Sequence, residues 1–426
     1  MTERAQRLLP AFITVTTLFF AWGFITSMVD PLIPSVRAIF SLNYTESMLT
    51  QFAFFLAYGV MSLPAGMIVL RCGYPRSILG ALLAMVAGSL IIALAGKVDT
   101  YVLVLLGLFV IASGMTVLQV AANPLAASLG NPTRSHFRLT LSQAFNSFGT
   151  VLGPNVGAWL MLRGGVFTGT TTSANFALAR TDSLRSIYHS FMIVAGLLVL
   201  LVAFIWSARR RLNDAVRPPA SPAGAAVLDA LKSPWALYGA AAIFFYVGAE
   251  VAISSIMINF LHQGEVFGVS LERAGKLLGV FYWGGAMVGR FFGSALLTRI
   301  AAFRLLSAVA IAAAAFCLIV SQSHGVLAGC MALSIGILNA VMFPTIFTLT
   351  LERSTASTAA TSGLLCMAIV GGAVLPLIVG HIVDAAGLQI AFLVPMLAYA
   401  CIALFATAAG RARAAPAAEV AAGLAH

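Results

Sequence analysis

Two carboxylates stand where the rest of this sequence is apolar. Asp30 is the one charge between Leu8 and Val36, and Glu250 lies inside the run AAIFFYVGAEVAISSIMINF over 241–260. A carboxylate at a bilayer centre costs about 2.5–3.5 kcal/mol on insertion scales, so each acid reads as functional unless a structural partner explains it. Pro31 and Pro34 follow Asp30; they remove backbone donors and loosen the helix, freeing carbonyls to face a water-filled cavity. Burial among apolar neighbours disfavours the charged form of a carboxylate. A group that takes a proton from one side and releases it to the other is what proton-coupled transport requires. The structural alternatives are a hydrogen bond to a neighbouring helix for Asp30 and an internal cation such as Arg290 for Glu250.

Neutral polar side chains accompany the acids. Gln119 and Asn123 are four residues apart and Gln143 and Asn146 three apart, so each pair shares a helix face, and Asn259 and Asn339 follow in later runs. Amides both donate and accept, as a polyhydroxylated ligand requires. Trp22, Phe145, Tyr246, Tyr282 and Trp283 lie nearby in sequence and offer flat faces to a sugar ring. The plainer roles for such residues are packing and interhelical hydrogen bonding.

The elements that must position these groups are membrane helices. With 61% hydrophobic and 9% charged residues over 426 positions, the chain has no composition for a water-soluble core. A span needs about 20 apolar residues, and twelve such runs are predicted near 11–33, 46–70, 77–96, 101–129, 137–162, 186–208, 235–261, 270–298, 303–322, 325–351, 356–382 and 388–409. With both termini cytoplasmic, seventeen of the 24 Lys and Arg fall on the inner side and seven outside. The net charge of +11 is therefore the positive-inside bias and implies no nucleic acid. Arg4 and Arg7 precede the first run as in a signal peptide, but that run is long enough to span and lacks a small-x-small cleavage site, so it reads as an uncleaved helix. Six histidines and five cysteines are dispersed without metal-ligand spacing. With no nucleotide-binding loop and no nucleophile beside a base, neither metal, cofactor, ATP-driven pumping nor enzyme activity is expected.

A Pro-, Ala- and Arg-rich connector over 209–234 divides the chain into an N-terminal six-helix bundle, 1–208, and a C-terminal one, 235–426. The halves repeat. FFAWG (19–23) recurs as FFYVG (244–248), LQVAANP (118–124) as LNAVMFP (338–344) and GTVLGP (149–154) as GGAVLP (371–376), at offsets of 225, 220 and 222. A six-plus-six parallel repeat with Gly- and Pro-interrupted helices is the architecture of alternating access, with substrate near the midplane between the halves. The repeat sets Asp30 opposite Ser255 and Glu250 opposite Ile25, so the two acids are not symmetric copies.

HFRLTLSQAFNSFGTVLGP (136–154), LQVAANP (118–124), YVGAEVAI (246–253), YWGGAMVGRFFGS (282–294), MFPTIFTLTLE (342–352) and SGLLCMAIVGGAVLP (362–376) resemble the fucose permease branch of the major facilitator superfamily, including its bacterial glucose/galactose transporters. The resemblance implies an all-α integral membrane protein importing a sugar by proton symport across the inner membrane. It puts the family's first-helix aspartate on Asp30 and its fifth-helix Gln and Asn on Gln143 and Asn146. Gln119 stands where fucose permease has a glutamate, which resembles the glucose/galactose members and argues against fucose. The loop GMIVLRCGYPR (66–76) resembles a worn superfamily signature, keeping Gly66, Arg71, Gly73 and Arg76 with Leu70 in place of the usual Asp.

The expectation is a monomeric twelve-helix symporter of glucose or galactose in the bacterial inner membrane. Asp30 carries the proton, Gln119, Asn123, Gln143, Asn146, Glu250 and Asn339 bind sugar hydroxyls, and Trp283 serves as a ring platform. Sodium in place of the proton, sugar efflux, and a multidrug/proton antiporter of the same fold are the alternatives.

Overall fold

A computed structural model of the protein describes residues 3–129, 135–167, 175–215, 230–297, 299–356 and 358–412. Among these residues there is no strand, and each of the twelve expected spans is helical. Among the described residues, nine stretches are long and apolar enough to cross a membrane by length and composition. Spans 2, 5 and 8 each pack against the opposite half.

Span 1 is α1 (Glu3–Ser27) followed by α2 (Val29–Ile39), broken at Met28. Pro31 cannot donate to the Ser27 carbonyl, nor Pro34 to that of Asp30. The hydroxyls of Thr26 and Ser27 bond back to the carbonyls of Trp22 and Gly23, both at 2.9 Å, a pattern that bends helices. The loosening expected beside Asp30 is thus present, two residues before it.

Spans 2 and 3 form α3 (Tyr44–Val98), which folds back at Gly73, with φ 74° and ψ 168°. That left-handed backbone favours glycine, which accounts for this glycine in the 66–76 loop. Asn43 and Glu46 form a capping box at the start of α3. Then follow α4 (Tyr101–Ser128), α5 (Ser135–Met161) and α6 (Phe176–Ala215). Helix α6 runs through the first residues of the expected connector, and connector residues 216–229 lie outside the described residues.

Ser233 caps α7 (Pro234–His262), with Pro234 in its first turn. Span 8 is composite: α8 (Leu271–Leu277), a π-helical segment (Leu278–Trp283) and α9 (Gly284–Leu297). The last six helices are α10 (Ala302–Gln322), α11 (Gly325–Asn339), α12 (Met342–Leu351), α13 (Thr358–Met367), α14 (Gly371–Ala386) and α15 (Leu393–Arg411). Twelve crossings bring the start of α1 and the end of α15 to one face, here the terminal face; the opposite face is distal. The bundles meet where α14 runs along the first arm of α3, where α5 packs on α8 and the π segment, and where α2 touches α7.

Candidate functional site

Asp30 is 3% exposed. At about 1.5 Å per residue it lies roughly 14 Å below the distal end of α2. Both its oxygens face donors of the other half of the protein: Trp283 Nε1 at the end of the π segment donates to Oδ2 at 3.0 Å, and Ser254 Oγ on α7 lies 3.1 Å from Oδ1 and 3.1 Å from the Val251 carbonyl, so its single proton is shared between the two acceptors. Trp283 was expected as a ring platform for the sugar, and nothing in the sequence announced its hydrogen bond to Asp30. The wider turn of a π segment re-aims the side chains that follow it, and here Tyr282 points into its own bundle while Trp283 reaches across.

Glu250 is half-buried; its hydrogen-bond partner is a tyrosine, while Arg290, the cation named as its structural alternative, acts on it electrostatically without a hydrogen bond. Tyr246, one turn earlier on α7, donates its hydroxyl to Oε1 at 2.8 Å, and Arg290 instead donates to Ser147 Oγ on α5, joining the two halves. Around Glu250 the tyrosines form a network. Tyr282 donates to the Glu250 carbonyl at 3.1 Å, Asn339 Nδ2 donates to the Tyr282 hydroxyl at 3.1 Å, and the Tyr399 hydroxyl donates to Asn339 Oδ1 at 2.8 Å. Buried polar groups carry a desolvation cost that hydrogen bonding offsets, and this chain ties the side chains of Tyr282, Asn339 and Tyr399 to the Glu250 backbone carbonyl.

Asn339 is consequently not open to a sugar: it is 0% exposed and both ends of its amide are used within the protein. Asn146 likewise turns away, donating Nδ2 to the Phe19 carbonyl of α1 at 3.1 Å. A repeat of small residues permits this contact: a methyl group at Gly153 would fall 2.6 Å from the Phe24 carbonyl oxygen, so α5 lies directly against α1. Both asparagines were expected at the ligand; their geometry makes them positioning residues, because the nearest acceptors and donors are protein atoms of neighbouring helices.

The remaining amides stay half-buried. Gln119 donates Nε2 to the hydroxyl of Tyr58 on α3 at 2.8 Å, and Asn123 keeps a buried Oδ1 without a hydrogen-bond partner. Gln143 is half-buried on α5. Sequence reasoning missed Tyr58, Ser254 and Tyr399. A hydroxyl within an apolar run is the signal they share, and it is weak, since Ser and Tyr are common in membrane helices. Among the described residues no cluster of His, Cys, Asp and Glu has the geometry of a metal site.

Residues 15–368 match the Major Facilitator Superfamily. The chain belongs to that superfamily. It is 41% identical over 401 residues to the glucose/galactose transporter of Brucella abortus, covering 93% of each chain. It is 30% identical over 412 residues to the L-fucose-proton symporter of Escherichia coli, covering 93% of this chain and 92% of that one. Among solved structures, the Major Facilitator Superfamily transporter FucP in its outward conformation superposes with a TM-score of 0.68 at 27% identity, over 95% of this chain and 100% of FucP. Like its superfamily relatives this multi-pass membrane protein is a transporter and not an enzyme.

Proposed function

We propose that this transporter imports a hexose, glucose or galactose, together with a proton, by alternating access across the bacterial inner membrane. The observation that carries the reading is Asp30, a buried carboxylate at the seam between the two halves, in a chain whose relatives include a glucose/galactose transporter and a fucose-proton symporter. Bundles 1–208 and 235–426, joined by the 209–234 connector, rock about that seam as a monomer with both termini cytoplasmic. Asp30 carries the proton. Gln119, Asn123, Gln143 and Glu250 engage sugar hydroxyls, Trp283 offers its ring, and Asn146 and Asn339 hold the helices and tyrosines that shape the site. Gln119 favours glucose or galactose over fucose.

Uptake of labelled glucose into proteoliposomes holding the purified protein, under an inward proton gradient and then a sodium gradient, tests the proposal. Galactose, fucose, N-acetylglucosamine and mannose serve as competitors. Accumulation driven by protons, with competition by galactose, is the expected result. Accumulation driven by sodium would replace the coupling ion. No uptake and no competition would overturn the sugar assignment and favour drug antiport.

A further inference from the structure

Symport requires two conformational moves, one with proton and sugar aboard and a return with neither; in this structure the distal face is closed where Asp384 of α14 accepts from the Tyr44 and Thr45 N–H groups at the start of α3. On the return leg Asp30 is an ionised carboxylate buried between the halves, and a buried charge is tolerated only when hydrogen bonds replace its water. In this structure two donors from the opposite bundle do so, Ser254 to one oxygen and Trp283 to the other. Hydrogen bonds to an ionised acceptor are roughly twice as strong as neutral ones. The same contacts therefore stabilise the ionised, distally closed protein more than the protonated one.

We infer that Ser254 and Trp283 are the coupling residues of the C-terminal half: they receive the Asp30 carboxylate once the distal face has closed, and so drive proton release and allow the empty carrier to return. This rests on the reading of Asp30 as the proton carrier. The step balances simply. The Asp30 O–H bond breaks, the proton leaves to water on the terminal side, and the electron pair stays on the carboxylate, which then accepts from both donors. The other ionisable groups that reach Asp30 electrostatically are Glu250 on α7 and Tyr282 in the π segment. Glu250 is already held by Tyr246, and the Tyr282 hydroxyl is spent on the Glu250 carbonyl. Trp283 is a part-exposed ring packed edge-on against Tyr282, with centroids 5.2 Å apart. A sugar resting on that ring therefore touches the residue that holds the proton site.

The test separates the two legs in proteoliposomes. Net uptake requires proton release and the empty return; exchange of internal for external sugar requires neither. Ser254→Ala and Trp283→Phe each lower the ratio of net uptake to exchange by about tenfold, the size of one charge-assisted hydrogen bond. Ser254→Thr, which keeps the hydroxyl, restores the ratio. Raising the internal pH restores net uptake in Ser254→Ala, because a more alkaline lumen draws off the proton that the missing donor no longer helps to release. A purely structural role would slow both legs together and leave the ratio and its pH response unchanged, which would overturn the inference. Asp30→Asn is run alongside: if it still accumulates sugar against a gradient, the reading of Asp30 has failed, irrespective of what Ser254 and Trp283 do.

Discussion

The Asp384 carboxylate near the end of α14 holds Thr45 twice, accepting from its backbone N–H at 2.7 Å and from its hydroxyl at 2.6 Å, and also accepts from the Tyr44 N–H at 2.7 Å. A carboxylate of one bundle thus satisfies the unpaired donors at the N-terminus of a helix in the other. Arg37 lies over the Tyr44 ring, 3.8 Å from its centroid, alongside. This is a latch on the distal face.

Asp384→Ala removes three acceptor contacts at that latch and shifts the balance toward a distally open state by about fivefold, since each solvent-accessible hydrogen bond contributes little net free energy. Spin-label distances across the distal ends of α3 and α14 read the shift. An unchanged distance distribution would show that packing of α14 along α3 closes the face unaided.

Asp30→Asn keeps the shape of the side chain and removes its titration. Gradient-driven accumulation falls to the equilibrium level while exchange continues, as followed by labelled sugar in proteoliposomes with and without a pH difference. Loss of exchange and of sugar binding together would assign Asp30 to the ligand rather than to the proton.

Asn339→Leu leaves the Tyr399 hydroxyl without its acceptor and removes the donor to the Tyr282 hydroxyl, which still donates to the Glu250 carbonyl, at a cost of about 2–4 kcal/mol. Tyr399→Phe deletes one donor and leaves one acceptor short, costing about 1–2 kcal/mol. Thermal unfolding in detergent ranks the two. A stable Asn339→Leu protein that has lost only sugar affinity would return Asn339 to the binding site.

Gly153→Ala forces α5 away from α1, because the added methyl meets backbone at Phe24 and the Ser27 side chain. Overpacking of this kind costs about 1–3 kcal/mol and displaces both Asn146 and the break beside Asp30. Sugar uptake falls at least tenfold and the melting temperature drops. Normal uptake would mean that the helices separate freely at this point.

The all-helical membrane fold was legible in the sequence because a bilayer leaves few choices: runs of about 20 apolar residues must become helices. Asp30 and Glu250 were legible for the same reason, as charges in an apolar solvent need a purpose or a partner. The break in span 1 followed from Pro31 and Pro34 acting locally on the backbone.

Partnership was not legible, since it depends on which helix faces which. Spacing put Asn146 on the helix face of Gln143, and Asn339 joined the other amides by residue type, but an amide bonds to whatever donor or acceptor its neighbours present, and those neighbours are Tyr282, Tyr399 and the Phe19 carbonyl. Arg290 could have met Glu250 by charge alone; packing of α5 against α9 brought Ser147 to it first. Sequence alone determined that a carboxylate is buried in span 1. Only the tertiary structure decided that its two oxygens belong to Ser254 and Trp283, because a π segment in span 8 and the meeting of α2 with α7 are products of packing between two bundles and not of any local pattern.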